Sequence, residues 1–105
     1  MIHPILQEKL PEIEEMFRQY HVRSAYVFGS VVTDKFNDAS DVDFLVDFDR
    51  NMELLERGEA WWSLYYGLKD LLNREVDLVT LPSLNNPYFI EKLDETKQYL
   101  YGERR

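Results

Sequence analysis

The sequence predicts an α+β fold, α/β-like in its strand–helix alternation: a small mixed β-sheet with helices packed mainly on one face. Three observations lead there. Val42 to Phe48 alternates with the period of a strand, placing Val42, Phe44, Val46 and Phe48 on one face and Asp41, Asp43, Leu45 and Asp47 on the other. Val22 to Phe28 is rich in β-branched and aromatic residues, Glu75 to Thr80 is a short alternating run, and both also read as strands. Leu6 to Tyr20 and Leu54 to Leu72 instead space their apolar residues three and four apart, as amphipathic helices do.

In chain order, Leu6, Leu10, Ile13, Phe17 and Tyr20 form one helical stripe. Pro11 interrupts it, because an interior proline removes a hydrogen bond and crowds the preceding turn. The expectation is a short helix before Pro11 and a better one beginning there, with Glu12, Glu14 and Glu15 favouring its N-terminal dipole. The strand Val22 to Phe28 runs into a tight Gly29-Ser30 turn. Val31 to Ala39 reads as a short helix and a loop, followed by the strand from Val42. On the next helix, Trp61, Leu64, Tyr65, Leu68, Leu71 and Leu72 face inward. In the third strand Val76 and Leu78 share one face, Asp77 and Val79 the other. Pro87 opens a last helix with Ile90 and Leu93 inward, and Lys97 to Tyr101 fits either more helix or a short strand.

The 105 residues predict one domain over 1–105, and a 45% hydrophobic content suffices for a core. Twenty acidic against twelve basic residues leave a formal charge of −8, which argues against binding duplex nucleic acid. Without cysteine there is no disulfide, thiolate metal site or thiol nucleophile. No apolar run reaches the roughly 18–20 residues of a membrane span, and Met1-Ile2-His3-Pro4 lacks the basic and apolar regions of a signal peptide. A soluble cytoplasmic protein is expected.

Chemistry concentrates in one constellation. A strand ends in Gly29-Ser30, and ten residues later the next opens with Asp41-Val42-Asp43. Residues i and i+2 of a strand share a face about 6.5–7 Å apart, so Asp41 and Asp43 repel each other unless a cation lies between them. Oxygen-only donors select Mg²⁺ or Mn²⁺. If the strand of Asp77 neighbours that of Asp43, a third carboxylate joins, and three such acids can hold two metals. A glycine after a strand lets backbone approach a phosphate closely, and the Ser30 hydroxyl adds a donor. Taken singly, each part has a plainer reading. Asp-x-Asp recurs by chance in an acidic chain, as at Asp47-Phe48-Asp49, and Gly-Ser is an ordinary turn signal.

Gly29-Ser30, ten residues, then Asp41-Val42-Asp43, flanked by Ala25-Tyr26-Val27-Phe28 and Phe44-Leu45-Val46, resembles the signature of the DNA polymerase β-like nucleotidyltransferase superfamily. The size and the Asn86-Pro87 helix start resemble its minimal members, small nucleotidyltransferases often paired with HEPN-domain proteins. The resemblance spans roughly Pro11 to Gly102. It implies the nucleotidyltransferase fold, with Gly29 and Ser30 contacting the nucleoside triphosphate. It also implies metal binding by Asp41 and Asp43, with Asp77 as third carboxylate, helping to hold the catalytic metal and to deprotonate the acceptor hydroxyl. The donor implied is ATP, the cofactor Mg²⁺ or Mn²⁺, and the partner a HEPN toxin, adenylylated by this chain as antitoxin. One departure stands out: many minimal members carry Arg-x-Arg-Gly after the Gly-Ser, and here the positions read Val31-Val32-Thr33-Asp34. Lys35, Arg50 and Arg74 are the cations left to compensate, and the sequence does not place them.

Two alternatives stay open: a partner-binding antitoxin module of the same fold with weak or no catalysis, and a transferase acting on a small molecule. Assembly into homo- or hetero-oligomers is compatible with all three. His3 and His21 are isolated and expected to be structural. Asp47 to Asn51 imitates a calcium loop, but Met52 and Gly58 occupy its glycine and glutamate positions, which rejects it. Trp61 and Tyr65 are expected in the core, and Trp62 and Tyr66 on the surface as anchors of a protein interface.

Overall fold

The computed structural model describes residues 3–80 and 86–103; Met1 and Ile2, part of the chain start considered above, lie outside them. Helix α1 spans Pro4–Gln19, strand β1 Val22–Phe28, and a short 3₁₀ turn Gly29–Val32. Strand β2 (Val42–Phe48), helix α2 (Leu54–Leu72), strand β3 (Val76–Thr80), helix α3 (Pro87–Thr96) and strand β4 (Gln98–Gly102) follow. The sheet has the order β3-β2-β1-β4, with β1 antiparallel to both β2 and β4, and β2 parallel to β3. It is the mixed sheet expected.

The alternation in β2 sorts the core as the sequence requires. Val42, Phe44, Val46 and Phe48 join Ala25 and Val27 of β1 in a cluster capped by Leu6, Ile13 and Phe17 of α1 and by Leu64, Leu68 and Leu72 of α2. The opposite face carries a smaller cluster of Tyr26, Phe28 and Leu45, covered by Leu93 of α3. Two helices therefore cover one face and the third covers the other. Trp61 fastens α2 to the sheet edge, its indole N–H donating to the Leu78 carbonyl at 3.2 Å, and Tyr65 stacks on it.

Two expectations are corrected. Helix α1 does not break before Pro11; it runs through it. Leu6, Ile13 and Phe17 on either side of Pro11 are buried on one face, while Gln7 and Pro11 are exposed. An interior proline costs about 3 kcal/mol, and burying three large side chains contributes roughly 1.5–3 kcal/mol each, so packing wins. Glu12, Glu14 and Glu15 consequently sit in mid-helix, away from the N-terminal dipole. His3 caps that end, its Nδ1 accepting the Ile5 N–H at 3.2 Å. The helix following Gly29-Ser30 also begins earlier than expected, at Gly29 itself. The undecided segment Lys97 to Tyr101 forms β4 against β1, with Tyr99 meeting Tyr26 edge-on.

Candidate functional site

The C-terminal end of β1 and the N-terminal ends of β2 and β3 meet at one end of the sheet. Phe28 pairs with Asp43, and Asp43 pairs with Asp77, so the three stand in one row across three strands. Neighbouring strands lie about 4.8 Å apart, which brings the two aspartates together although 34 positions separate them in sequence. The sequence expectation that Asp77 neighbours Asp43 is met by this register.

Gly29 follows Phe28 directly, with φ +76°, in the left-handed region that favours glycine. A Cβ built there would lie 2.2 Å from Asp43 Oδ2. The turn thus leans its backbone on the Asp43 carboxylate, and the missing side chain is what makes room for that carboxylate. The Ser30 hydroxyl faces the backbone of Asp41, donating weakly to its carbonyl at 3.5 Å. Gly29, Ser30, Asp41, Asp43 and Asp77 are therefore assembled at one edge.

Asp43 is half-buried and its pKa is pushed up from the ordinary 3.8 to about 6, first by burial and then by the charges of Asp77 and Asp41. Among the described residues no three carboxylate or histidine side chains close into a ready-made ligand set. Asp41, Asp43 and Asp77 are electrostatic neighbours instead, held at the sheet end, and the charges that act on Asp43 are those of Asp77 and Asp41. The all-oxygen donors and the repulsion at Asp43 suit a hard divalent cation, so the residues present fit Mg²⁺ or Mn²⁺.

The other Asp-x-Asp pair is arranged quite differently. Asp47 is buried at the far end of β2 and is bound by Arg23 at 2.5 Å. Asp49 accepts the Asn51 N–H at 2.9 Å inside a turn. Asp47 is neutralised by the fold, whereas Asp43 is left with like charges around it.

The three candidate compensating cations are now placed. Arg74 donates to the carbonyls of Asn37 and Ser40, at 3.1 and 3.0 Å, and its guanidinium lies 4.6 Å from the Phe36 ring centre. His3 touches the same ring, with centroids 4.6 Å apart. Arg74 thus holds the loop that delivers Asp41, and its Nη1 donors are engaged there. Arg50 follows the far end of β2, about 20 Å along the strand from Asp43. Lys35 is exposed on the loop after the 3₁₀ turn. The sequence named Arg74 only as a charge; its work as a loop tie was invisible, because Asn37 and Ser40 are distant in the chain.

Trp62 and Tyr66 are exposed on α2 as expected, with Leu54 and Leu55 beside them. The two leucines were missed. Their signal is the spacing Leu55, Trp62, Tyr66 on the side of α2 opposite Leu64 and Leu68.

A carboxyl that binds its proton more tightly in the fold than in the unfolded chain favours folding at low pH. The metal-free protein is therefore expected to lose stability as pH rises from about 4 through 6. The loss is about 1–2 kcal/mol once solvent screening at this half-exposed group is allowed for. Asp43→Asn should flatten that window and raise the melting temperature at pH 7 by roughly 5–15 °C. Thermal melts from pH 4 to 8 measure both, and an identical pH profile in the variant would contradict the electrostatic account.

The family model described as polymerase beta, nucleotidyltransferase matches residues 11–105. A Methanocaldococcus jannaschii protein that carries the name protein adenylyltransferase is 34% identical over 99 residues, covering 94% of each chain. A chain from a toxin–antitoxin crystal structure with AMP-PNP superposes with a TM-score of 0.71 at 24% identity, over 90% of this chain and 74% of that one. A chain from the complex of tri-AMPylated Shewanella oneidensis HEPN toxin with its MNT antitoxin gives 0.65 at 23% identity, over 92% and 72%. At those identities the two structures show a shared fold. Among the described residues, no helix is long and apolar enough to cross a membrane.

Proposed function

The chain belongs to the polymerase beta nucleotidyltransferase family, and from that premise we propose that it moves AMP from ATP to a hydroxyl of a HEPN-type partner protein in the cytoplasm, acting as antitoxin. The observation that carries this reading is the row Phe28–Asp43–Asp77, with the Gly29 backbone pressed on Asp43. The relative named protein adenylyltransferase supports a protein acceptor, and the AMPylated HEPN toxin beside an MNT antitoxin supports the partner class.

In this reading Asp41, Asp43 and Asp77 would hold Mg²⁺. When bound, the metal supplies charge neutralisation and polarisation of the transferring phosphate. The backbone N–H groups of the Gly29-Ser30 turn and the Ser30 hydroxyl donate to the triphosphate. Asp77, exposed at the end of the row, takes the proton of the acceptor hydroxyl as its oxygen bonds to the α-phosphorus. The bond from that phosphorus to the bridging oxygen breaks, and pyrophosphate leaves.

A second reading, the partner-binding module without effective catalysis, is favoured by one observation. The turn presents Val31-Val32-Thr33-Asp34 where cations would meet a triphosphate, and Arg74 is engaged elsewhere. Intact-mass spectrometry separates the two. Wild-type protein with ATP, Mg²⁺ and the HEPN-domain protein of the same genome is expected to add AMP to that partner. A partner that is bound and neutralised at unchanged mass would leave the binding module as the function.

A further inference from the structure

Helix α2 has two apolar faces, and the fold uses one. Ala60, Leu64, Leu68 and Leu72 are buried against the sheet. On the outer side, Leu54 is 82% exposed, Leu55 78%, Trp62 55% and Tyr66 60%. A helix lying on a protein surface ordinarily turns polar residues outward, so a second apolar stripe marks a contact surface. Leu54, Leu55, Gly58, Glu59 and Trp62 line a groove of about 500 Å³. Trp62 and Tyr66 stack along its continuation, with ring centres 5.8 Å apart. Gly58 lies inside the helix, where glycine weakens it, and among the described residues nothing beyond its chain neighbours and its own helical backbone lies within 4 Å of where its Cβ would be. Its own fold does not require a glycine there, whereas a backbone approaching from outside would.

The rim decides the occupant. Glu59 lines the groove, and the exposed Glu53 and Glu56 flank Leu54 and Leu55 in sequence, on a chain of net charge −8. A second copy would bring the same carboxylates face to face, and an anionic lipid surface would be repelled. A surface bearing Lys and Arg around an apolar centre meets both the groove and its rim.

We propose that the outward face of α2, formed by Leu54, Leu55, Gly58, Trp62 and Tyr66, docks the acceptor protein, which presents an apolar helix flanked by basic residues. This rests on the reading that the acceptor is a protein. Leu55 stands about 27 Å along α2 from Asn73, where the chain turns toward the site end of the sheet. Docking and chemistry are thus spatially separate, and the groove recruits the acceptor rather than reacting with it.

The test uses the HEPN-domain protein of the same genome as probe, with affinity measured by calorimetry at 50 and 300 mM salt. Leu55→Asp/Trp62→Asp is expected to weaken binding at least a hundredfold, with far-UV circular dichroism unchanged because both positions are exposed. Glu53→Lys/Glu56→Lys/Glu59→Lys should weaken it about tenfold and remove most of its salt dependence. Wild-type affinity in both variants overturns the docking surface. So does a wild-type homodimer, seen by light scattering, that Leu55→Asp splits, since a second copy then owns the groove. The enzymatic reading fails separately: binding that depends on α2 but leaves the partner's mass unchanged supports the dock and removes the transferase.

Discussion

Asp41→Ala/Asp43→Ala is expected to lower AMP transfer to the partner by about a thousandfold or more while the protein stays folded and bound. The size follows from what the pair would do. Two of the three carboxylates at the sheet end vanish, and with them the means to hold a divalent cation against the triphosphate. Each 1.36 kcal/mol lost from the barrier lowering is tenfold in rate, and a metal's charge stabilisation is worth several kcal/mol. Folding should not suffer. Asp41 is exposed, Asp43 is half-buried, and removing them relieves the burial of charge and the repulsion that raise the Asp43 pKa. Added Mg²⁺ should raise the wild-type melting temperature by mass action and leave the variant unmoved. Single-turnover assays with labelled ATP give the rate. Should the double variant protect cells from the partner as well as wild type does, the chain is a binding module and its carboxylates are not used.

Gly29→Val should nearly abolish nucleotide binding, by a hundredfold or more, and also lower the melting temperature. Two causes coincide at this position. A β-branched residue at φ +76° is strained, at a cost of about 1–3 kcal/mol. Its Cβ would also fall 2.2 Å from Asp43 Oδ2, so the carboxylate must leave its place. Gly29→Ala keeps the second effect with less of the first, and separates displacement of Asp43 from general loss of stability. Ser30→Ala is the contrast. Among the described residues its hydroxyl makes only the 3.5 Å contact to the Asp41 carbonyl, so the fold should keep its stability. ATP affinity should fall by the share of one hydrogen bond to a charged phosphate, about 1–3 kcal/mol. Calorimetry with Mg²⁺ and AMP-PNP measures all three variants. Wild-type affinity in Gly29→Val and Ser30→Ala alike would remove the turn from the phosphate site.

Much of the site was legible because its parts are local. Gly29-Ser30 ends one strand and Asp41-Val42-Asp43 opens the next, so both sit in a stretch of fifteen residues. The separation of Trp61 and Tyr65 from Trp62 and Tyr66 was also readable, since one residue on a helix turns the side chain by about 100°. Pro11 misled because its local penalty is real but smaller than the packing on either side of it. Arg74 misled in another way. A cation in a sequence reads as charge for a ligand, and only the fold brings its Nη1 to the Asn37 and Ser40 carbonyls.

What the sequence determined by itself was the class of fold, the strand that carries Asp43, and the face on which each residue of that strand stands. Alternation has period two, helices near 3.6, and both are properties of neighbours in the chain. Only the tertiary structure decided the rest. It placed Asp77 opposite Asp43 in parallel register, made Lys97 to Tyr101 a strand beside β1, and left the outer side of α2 bare. Each of these depends on which distant segments meet. Pairing register and surface burial are set by packing the whole chain, where many weak long-range contacts outweigh any local preference.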